Sequence, residues 1–374
     1  MGFISFNHVV KTFPNGYEVV KNFNMEIELG EFVAFIGAPG SGKSTILRMV
    51  AGLEEPSLGE IRIDGELLRN IPPEDRDVSM LFQNYAIFPK MTVYENIGFG
   101  LKHRNVPDRI IEERVDKVAD FLELTDILSK KPKKLSAGER QRVAFARAII
   151  TDPKILILDE PLSSQEEELR EHLQRKMILA YKDLGGTILY VTHNTEEAMK
   201  LATKVVVMKS GDVHQVGTPD EIYNKPATLF VADFVGEPAI NLIDGECEIC
   251  GDNAFVKTHI GDIKTIPAKG SEIFNGKYSS KQIVVGIRPE AISIVDEDTD
   301  KGADEGVYGY FKGEVLATQE IRDNIWIRFK VDNKIYNALV PDETSASIGE
   351  IIEFKINTEN LPLFDKETKK AISY

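Results

Sequence analysis

Apolar and polar residues alternate from residue 3 to residue 29, break at Pro14-Asn15-Gly16 and resume over Phe23–Leu29. Period-two alternation around a Pro-Asn-Gly turn predicts an antiparallel pair of strands. Glu31–Ile36 reads as a strand, Glu60–Gly65 as a short strand and turn, and Val78–Phe82 as a strand closed by polar Gln83. Between residues 92 and 134 the period changes. Ile111, Val115, Val118, Leu122 and Leu124 sit among charges from Arg109 to Leu128, at helical spacing, so this part reads as an inserted helical lobe. A further helix follows Leu135-Ser136-Ala137-Gly138-Glu139, runs to Ile150 and stops at Asp152-Pro153. The wholly apolar Ile155–Leu158 predicts a strand buried on both faces, with Asp159 and Glu160 at its end. Leu169, Leu173, Met177, Ala180 and Leu184 line one helix face, Thr187–Val191 is a buried strand capped by Thr192 and His193, and Val205–Met208 follows another helix.

Strands alternating with helices imply an α/β fold with a largely parallel sheet, in which ligands gather at the C-terminal ends of the strands. Gln83, Asp159, Glu160 and His193 all fall at such ends. From Gly236-Glu237-Pro238 onward the segments become short and period-two, such as Ile283–Ile287 and Trp326–Val331, the latter meeting Ile335–Val340 across Asp332-Asn333-Lys334. The expected division is residues 1–236, with a helical subdomain at about 84–150, and a β-rich domain over 237–374.

Composition narrows the class. A length of 374 residues suits two or three domains, and 42% hydrophobic with 28% charged residues is the balance of a soluble globular protein. No apolar run approaches the ~20 residues that span a bilayer, and Met1–His8 lacks the basic-then-apolar pattern of a leader, so a cytosolic location is expected. The net charge of −15 argues against a broad nucleic-acid footprint. Cys247 and Cys250 form a lone C-x-x-C and read as ordinary thiols in a β segment. The acidic run Asp296–Glu305 lacks calcium-loop spacing and reads as a solvated loop.

The strongest chemistry lies at Gly37-Ala38-Pro39-Gly40-Ser41-Gly42-Lys43-Ser44-Thr45, a complete Gly-x-x-x-x-Gly-Lys-Ser between a strand and a helix. Glycines let loop amides converge on one point, and the helix aims its positive end there, which suits a phosphate chain. Lys43 can reach the β- and γ-phosphates and the Ser44 hydroxyl can ligate Mg²⁺, so the chain is expected to bind a nucleoside triphosphate with Mg²⁺. Glu160 is the candidate general base. Ser136-x-x-Glu139 ahead of a helix is a capping box.

Taken together, the phosphate loop, Gln83, Leu135–Glu139, the Ile155–Glu160 strand and His193, in that order, resemble an ATP-binding-cassette ATPase. Gln83–Pro89, Thr92–Ile97, Phe234-Val235-Gly236, Gly286–Glu290 and Leu363-Phe364-Asp365 are similar to the ATPase subunits of maltose-type sugar importers, so the resemblance covers nearly the whole chain. It implies a P-loop cassette (a mixed sheet with an antiparallel β subdomain and a helical subdomain) followed by an all-β, OB-like domain with regulatory or dimer-stabilising roles. For the site it implies ATP and Mg²⁺, with Ser44 and Gln83 on the metal and Asp159 reaching it through water. It implies further that His193 contacts the γ-phosphate and orients the catalytic water, and that Ser136 and Gly138 bind the γ-phosphate held by the opposite subunit. Phe13 matches the adenine-stacking position, although from its sequence it is equally a core residue.

The implied partners are a second ATPase subunit, two transmembrane permease subunits reached through Tyr85–Pro89 and, indirectly, a solute-binding protein, with the chain peripheral on the cytoplasmic face of the membrane. A sugar, oligosaccharide or glycerol phosphate is the expected cargo. Polyamine, iron or oxyanion import, a soluble ATPase acting on nucleic acid or ribosomes, and a regulatory module with degenerate catalysis are the alternatives. The chain departs from the family's usual pattern at Ala137 for glycine, at Glu139 for glutamine, and at Gln165 and Glu166 for leucine and aspartate. The expected consequence is a slower site where this chain's signature is used.

Overall fold

In the computed structural model, the described residues are 2–161, 185–250, 253–265, 281–295, 308–321, 323–342, 346–359 and 361–373, with positions 172, 176, 179, 278 and 344. The helix face from Leu169 to Leu184, the Gln165 and Glu166 positions and the acidic run from Asp296 lie outside them.

The chain divides into two compact units, Met1–Pro219 and Asp220–Tyr374. In the first unit the elements run β1 (Ile4–Thr12), β2 (Glu18–Ile27), β3 (Phe32–Ile36), α1 (Lys43–Val50), β4 (Leu58–Ile63), β5 (Glu66–Leu67), β6 (Val78–Leu81), α2 (Val93–His103), α3 (Asp108–Phe121), α4 (Ala137–Ile149), β7 (Ile155–Asp159), β8 (Thr187–Val191), α5 (Thr195–Leu201), β9 (Lys204–Lys209) and β10 (Asp212–Gly217). Among the described residues, β2-β1-β4-β5 form an antiparallel sheet and β10-β9-β3-β8-β7-β6 a second sheet, parallel except at its β10 edge. Phe6, Phe23, Phe35, Ile46, Leu47, Ile157 and Leu189 belong to one buried core shared by both sheets and α1. Every residue of β3, β7 and β8 is buried, which explains why these strands read as continuous apolar runs.

The helical lobe is α2, α3 and α4, with α2 packed against both others and α4 against β6. The helix expected from Arg109 to Leu128 is shorter. It ends at Phe121, Glu123 turns to φ +57°, and Thr125–Ile127 forms a separate 3-10 turn. Leu122 and Leu124 are still buried, so the apolar spacing was satisfied by a turn that tucks both inward rather than by a longer helix.

In the second unit, the helices Pro219–Asn224 and Leu229–Phe234 precede two antiparallel sheets. Asn324–Val331 and Lys334–Pro341 pair with Val331 opposite Lys334, so the turn is Asp332-Asn333, with Asp332 at φ +52°. Side chains from both sheets share one core, including Ile243, Val285, Phe311, Phe329 and Phe354. The unit begins before the change of pattern at Gly236. Ala232 packs with Ile240, Val284 and Phe364, and the buried Arg288 donates to the carbonyls of Tyr223, Ala232 and Val235. The alternation of strands cannot announce helices that dock on them.

Candidate active site

Four adjacent parallel strands, β3-β8-β7-β6, deliver the site. Their C-terminal ends lead into Gly37, Thr192-His193, Glu160 and Gln83 respectively. The register aligns them, with Phe35 beside Val191, Val191 beside Asp159 and Leu158 beside Leu81.

The loop from Gly37 to Gly42 depends on glycine at two points. Gly37 has φ +150°, and a Cβ there would lie 2.2 Å from the Met208 carbonyl oxygen; Gly42, the N-cap of α1, has φ +101°, and its Cβ would lie 2.4 Å from the Val19 carbonyl oxygen. No side chain caps the start of α1, which leaves that end of the helix to an anion. The Lys43 ammonium, 5% exposed as a residue, donates to the carbonyls of Gly37 (2.8 Å) and Ala38 (3.0 Å) and lies 3.4 Å from Ser41 Oγ. Burial lowers its pKa, opposed by the nearby Glu160 and Asp159 carboxylates. Loop and lysine thus hold each other in a shape that presents positive charge.

Beside it, Ser44 Oγ donates to Asp159 Oδ1 at 2.7 Å. Gln83 Nε2 donates to Glu160 Oε2 at 2.7 Å, and His193 Nδ1 lies 3.8 Å from Glu160 Oε1. Glu160 adopts φ +48° while its amide still donates to Val191 O at 2.9 Å, so the backbone stays tied to β8 as it leaves the sheet. The structure therefore brings Lys43, Ser44, Gln83, Asp159, Glu160 and His193 to one end of one sheet. Thr45 lies in the first turn of α1. Phe13 lies in the β1–β2 connection, half-buried against the core, with Lys11 Nζ 5.6 Å from its ring centroid.

At the start of α4 the capping box is complete. Ser136 N donates to Glu139 Oε2 at 2.6 Å and Glu139 N to Ser136 Oγ at 3.1 Å. The bond from the Ser136 amide, aided by the Ser136 hydroxyl and the nearby Lys130 and Arg142 charges and opposed by burial, holds the Glu139 carboxyl below its usual range. Ser136 and Ala137 are exposed and Gly138 is buried. Further along, the Gln141 amide donates to Pro161 O, tying α4 to the residue after Glu160. Between Gln83 and α2, Tyr85 and Ala86 have positive φ, and Arg147 of α4 donates to Ala86 O at 2.7 Å with its guanidinium 4.4 Å from the Phe88 ring centroid. Asn96, fully buried, receives Phe88 N and donates to the carbonyls of Phe88, Met91 and Thr92. Asn96 lies in the Thr92–Ile97 segment and Arg147 in the helix after the capping box, but neither position carries a chemical role in the sequence, because only the folded loop supplies their partners.

Residues 20–163 match the family model described as ABC transporter, and residues 236–292 the one described as MalK OB fold domain. Over its whole length the chain is 38% identical to the sn-glycerol-3-phosphate import ATP-binding protein UgpC of Psychromonas ingrahamii, covering 96% of that protein. The chain belongs to the ABC transporter ATP-binding family. It is also 38% identical to the multiple sugar-binding transport ATP-binding protein MsmK of Streptococcus mutans, with 99% of each covered, and 37% identical to the oligosaccharides import ATP-binding protein MsmX of Bacillus subtilis, with 100% of each covered. Among solved structures, the dimeric post-hydrolysis ATP-binding cassette MJ0796 bound to ADP and Pi matches 58% of this chain and 98% of its own, at 28% identity and a TM-score of 0.54. CbiO1 of Clostridium perfringens matches 59% and 90%, at 29% identity and a TM-score of 0.55. As a member of this ABC family, the chain is an ATPase coupled to transport. No described helix is long and apolar enough to cross a membrane.

Proposed function

We propose that this chain is the ATP-hydrolysing subunit of an importer for a sugar, oligosaccharide or glycerol phosphate. It works as a pair of ATPase subunits beneath two permease subunits, peripheral on the cytoplasmic face, with a solute-binding protein acting at a distance. The observation that carries the catalytic half is Glu160, held at a strand end between Gln83 and His193 beside the phosphate loop. The cargo class rests on full-length similarity to import ATP-binding proteins for glycerol phosphate, multiple sugars and oligosaccharides.

The chemistry follows from the residues. Lys43 and the amides from Gly37 to Thr45 neutralise the β- and γ-phosphates, exchanging lysine's loop carbonyls for phosphate oxygens. Ser44, Asp159 and Gln83 are a hydroxyl, a carboxylate and an amide, the hard oxygen donors that suit Mg²⁺, and the Ser44–Asp159 bond already sets two of them side by side. Bound there, Mg²⁺ supplies neutralisation of developing phosphate charge. Glu160 takes the proton from the attacking water, Gln83 fixes the carboxylate, and His193 orients the water and contacts the γ-phosphate. Phe13, half-buried in the β1–β2 connection, is the residue assigned to stack on adenine. Ser136 and Gly138 of the partner chain close over the γ-phosphate, so ATP draws two chains together and hydrolysis releases them, a population shift by a ligand that fits the closed state best.

The proposed permease contact involves the Tyr85–Pro89 segment, beside a cleft of about 300 Å³ whose lining includes Tyr85, Ala86, Phe99 and Arg147. It adjoins the segment that leads back to Gln83, so a permease seated there could sense closure. Co-purification of the full chain with its candidate permeases, followed by solute uptake with wild-type and Glu160→Gln chains, tests the proposal. Uptake that is energised equally by both would refute it.

A further inference from the structure

Resting on the assignment of His193 above, we infer that Glu197 is the positioning residue that sets His193 in the site. His193 occupies the single-residue bridge between Thr192, just beyond β8, and Asn194, the N-cap of α5. Its own side chain is 54% exposed and 3.8 Å from Glu160, so the direction of the imidazole is governed by the backbone on either side. That backbone is closed into a ring. Thr192 Oγ1 donates to Glu197 Oε2 at 2.8 Å, and the same hydroxyl accepts from Asn194 N at 3.0 Å. Asn194 Oδ1 in turn accepts from Glu197 N at 3.1 Å.

A second donor anchors the ring to the sheet. Tyr190, fully buried with its ring 5.8 Å from Phe32 in an edge contact, donates its hydroxyl to the same Glu197 Oε2 at 2.7 Å. Glu197 is 5% exposed and Thr192 3% exposed, so these are interior bonds. The spacing Asn194-x-x-Glu197 looks like an ordinary capping box, in which the carboxylate would return to the Asn194 amide. Here Thr192 takes that amide instead, and the carboxylate collects the hydroxyls of Tyr190, in β8, and of Thr192, just beyond it. The result fixes the backbone on both sides of His193 while leaving its ring facing outward. A stability role alone needs no such bracket around one exposed side chain.

Steady-state ATPase of full-length His193→Ala, Glu197→Ala, Glu197→Gln and Thr192→Val, with melting temperatures alongside, tests this. Glu197→Ala is expected to lose about ten-fold or more in kcat with KM for ATP unchanged, because the nucleotide's loop contacts are intact. Glu197→Gln keeps an oxygen that can accept both hydroxyls and is expected to stay within about two-fold of wild type. Should Glu197→Ala fail to fold, Thr192→Val carries the test, with an expected loss of about three-fold or more in kcat at unchanged KM. A lowered melting temperature with undiminished kcat in Glu197→Ala or Thr192→Val overturns the inference, as does Glu197→Gln turning over as slowly as Glu197→Ala. Full turnover by His193→Ala overturns the His193 assignment and this inference with it. Loss in His193→Ala without loss in the others overturns this inference alone.

Discussion

Gln83 and Glu160 stand 77 positions apart in sequence, yet the Gln83 amide donates to Glu160 Oε2 at 2.7 Å. They meet because β6 and β7 are parallel neighbours ending at the same level. The bond fixes one Glu160 oxygen and leaves the other 3.8 Å from His193 Nδ1, and under the proposed mechanism Glu160 is the general base and the Gln83 carbonyl oxygen a metal donor. Glu160→Gln is expected to lower ATP turnover by about 100-fold or more while nucleotide binding persists, as removal of a general base requires. Turnover assays paired with fluorescent-nucleotide binding check this. Parallel loss of binding and turnover would contradict the role.

Ser44→Ala removes one of two hydrogen-bonded oxygen groups, and Asp159→Asn removes the negative charge of the other. Both are expected to raise the Mg²⁺ concentration for half-maximal turnover by about ten-fold, since a cation with few protein ligands loses a large share of its cage with either. Titration of Mg²⁺ at saturating nucleotide measures it, and unchanged half-saturation in both variants would remove these residues from the metal site.

How much of this was legible before folding differs by element. The phosphate loop, the capping box at Ser136 and the buried strands β7 and β8 could be read directly, because each obeys a local rule: glycine where φ is positive, Ser-x-x-Glu at a helix start, unbroken apolar runs where both faces are covered. What failed was long-range. The end of the helix at Phe121 is set by the turn that buries Leu122 and Leu124, which no local pattern encodes. Glu197 is not singled out in the sequence, because its partners Tyr190 and Thr192 are set by the fold.

Glu139 places a carboxylate at the turn where the partner's phosphate is proposed to bind, but the capping box points it at Ser136 N. Its lowered pKa keeps it ionised well below neutrality. Glu139→Gln preserves an acceptor for the cap and removes the charge, so turnover is expected to rise by about two-fold to three-fold. Unchanged ATPase of the lone chain would show that the capped carboxylate costs nothing.

Asn96 satisfies four backbone groups around the segment after Gln83 from a fully buried position. Asn96→Ala strands them and is expected to destabilise the unit by about 2–3 kcal/mol. Denaturant unfolding measures the loss; a change under about 0.5 kcal/mol would mean that water replaces the side chain.

Tyr336 in the second unit is 4% exposed, donates to or accepts from His259 Nε2 at 2.6 Å, and has its pKa raised from 10.0 to about 12, chiefly by burial, with Asp332 and Asp244 adding to it. The native state therefore keeps a proton that the unfolded chain gives up above pH 10. Its contribution to stability is complete below pH 10 and is lost as pH rises through about 12, with a slope of at most about 1.4 kcal/mol per pH unit. Denaturation of wild type and Tyr336→Phe between these values should show the steeper decline in wild type; identical slopes would place the titration elsewhere.

The two-chain clamp over ATP is tested most directly by specific ATPase activity across a dilution series, with light scattering recording the oligomeric state at each concentration. Specific activity is expected to fall as the chain becomes monomeric and to recover as dimers form, because a lone phosphate loop lacks the partner's Ser136. Full specific activity in samples that scatter as monomers would contradict the clamp.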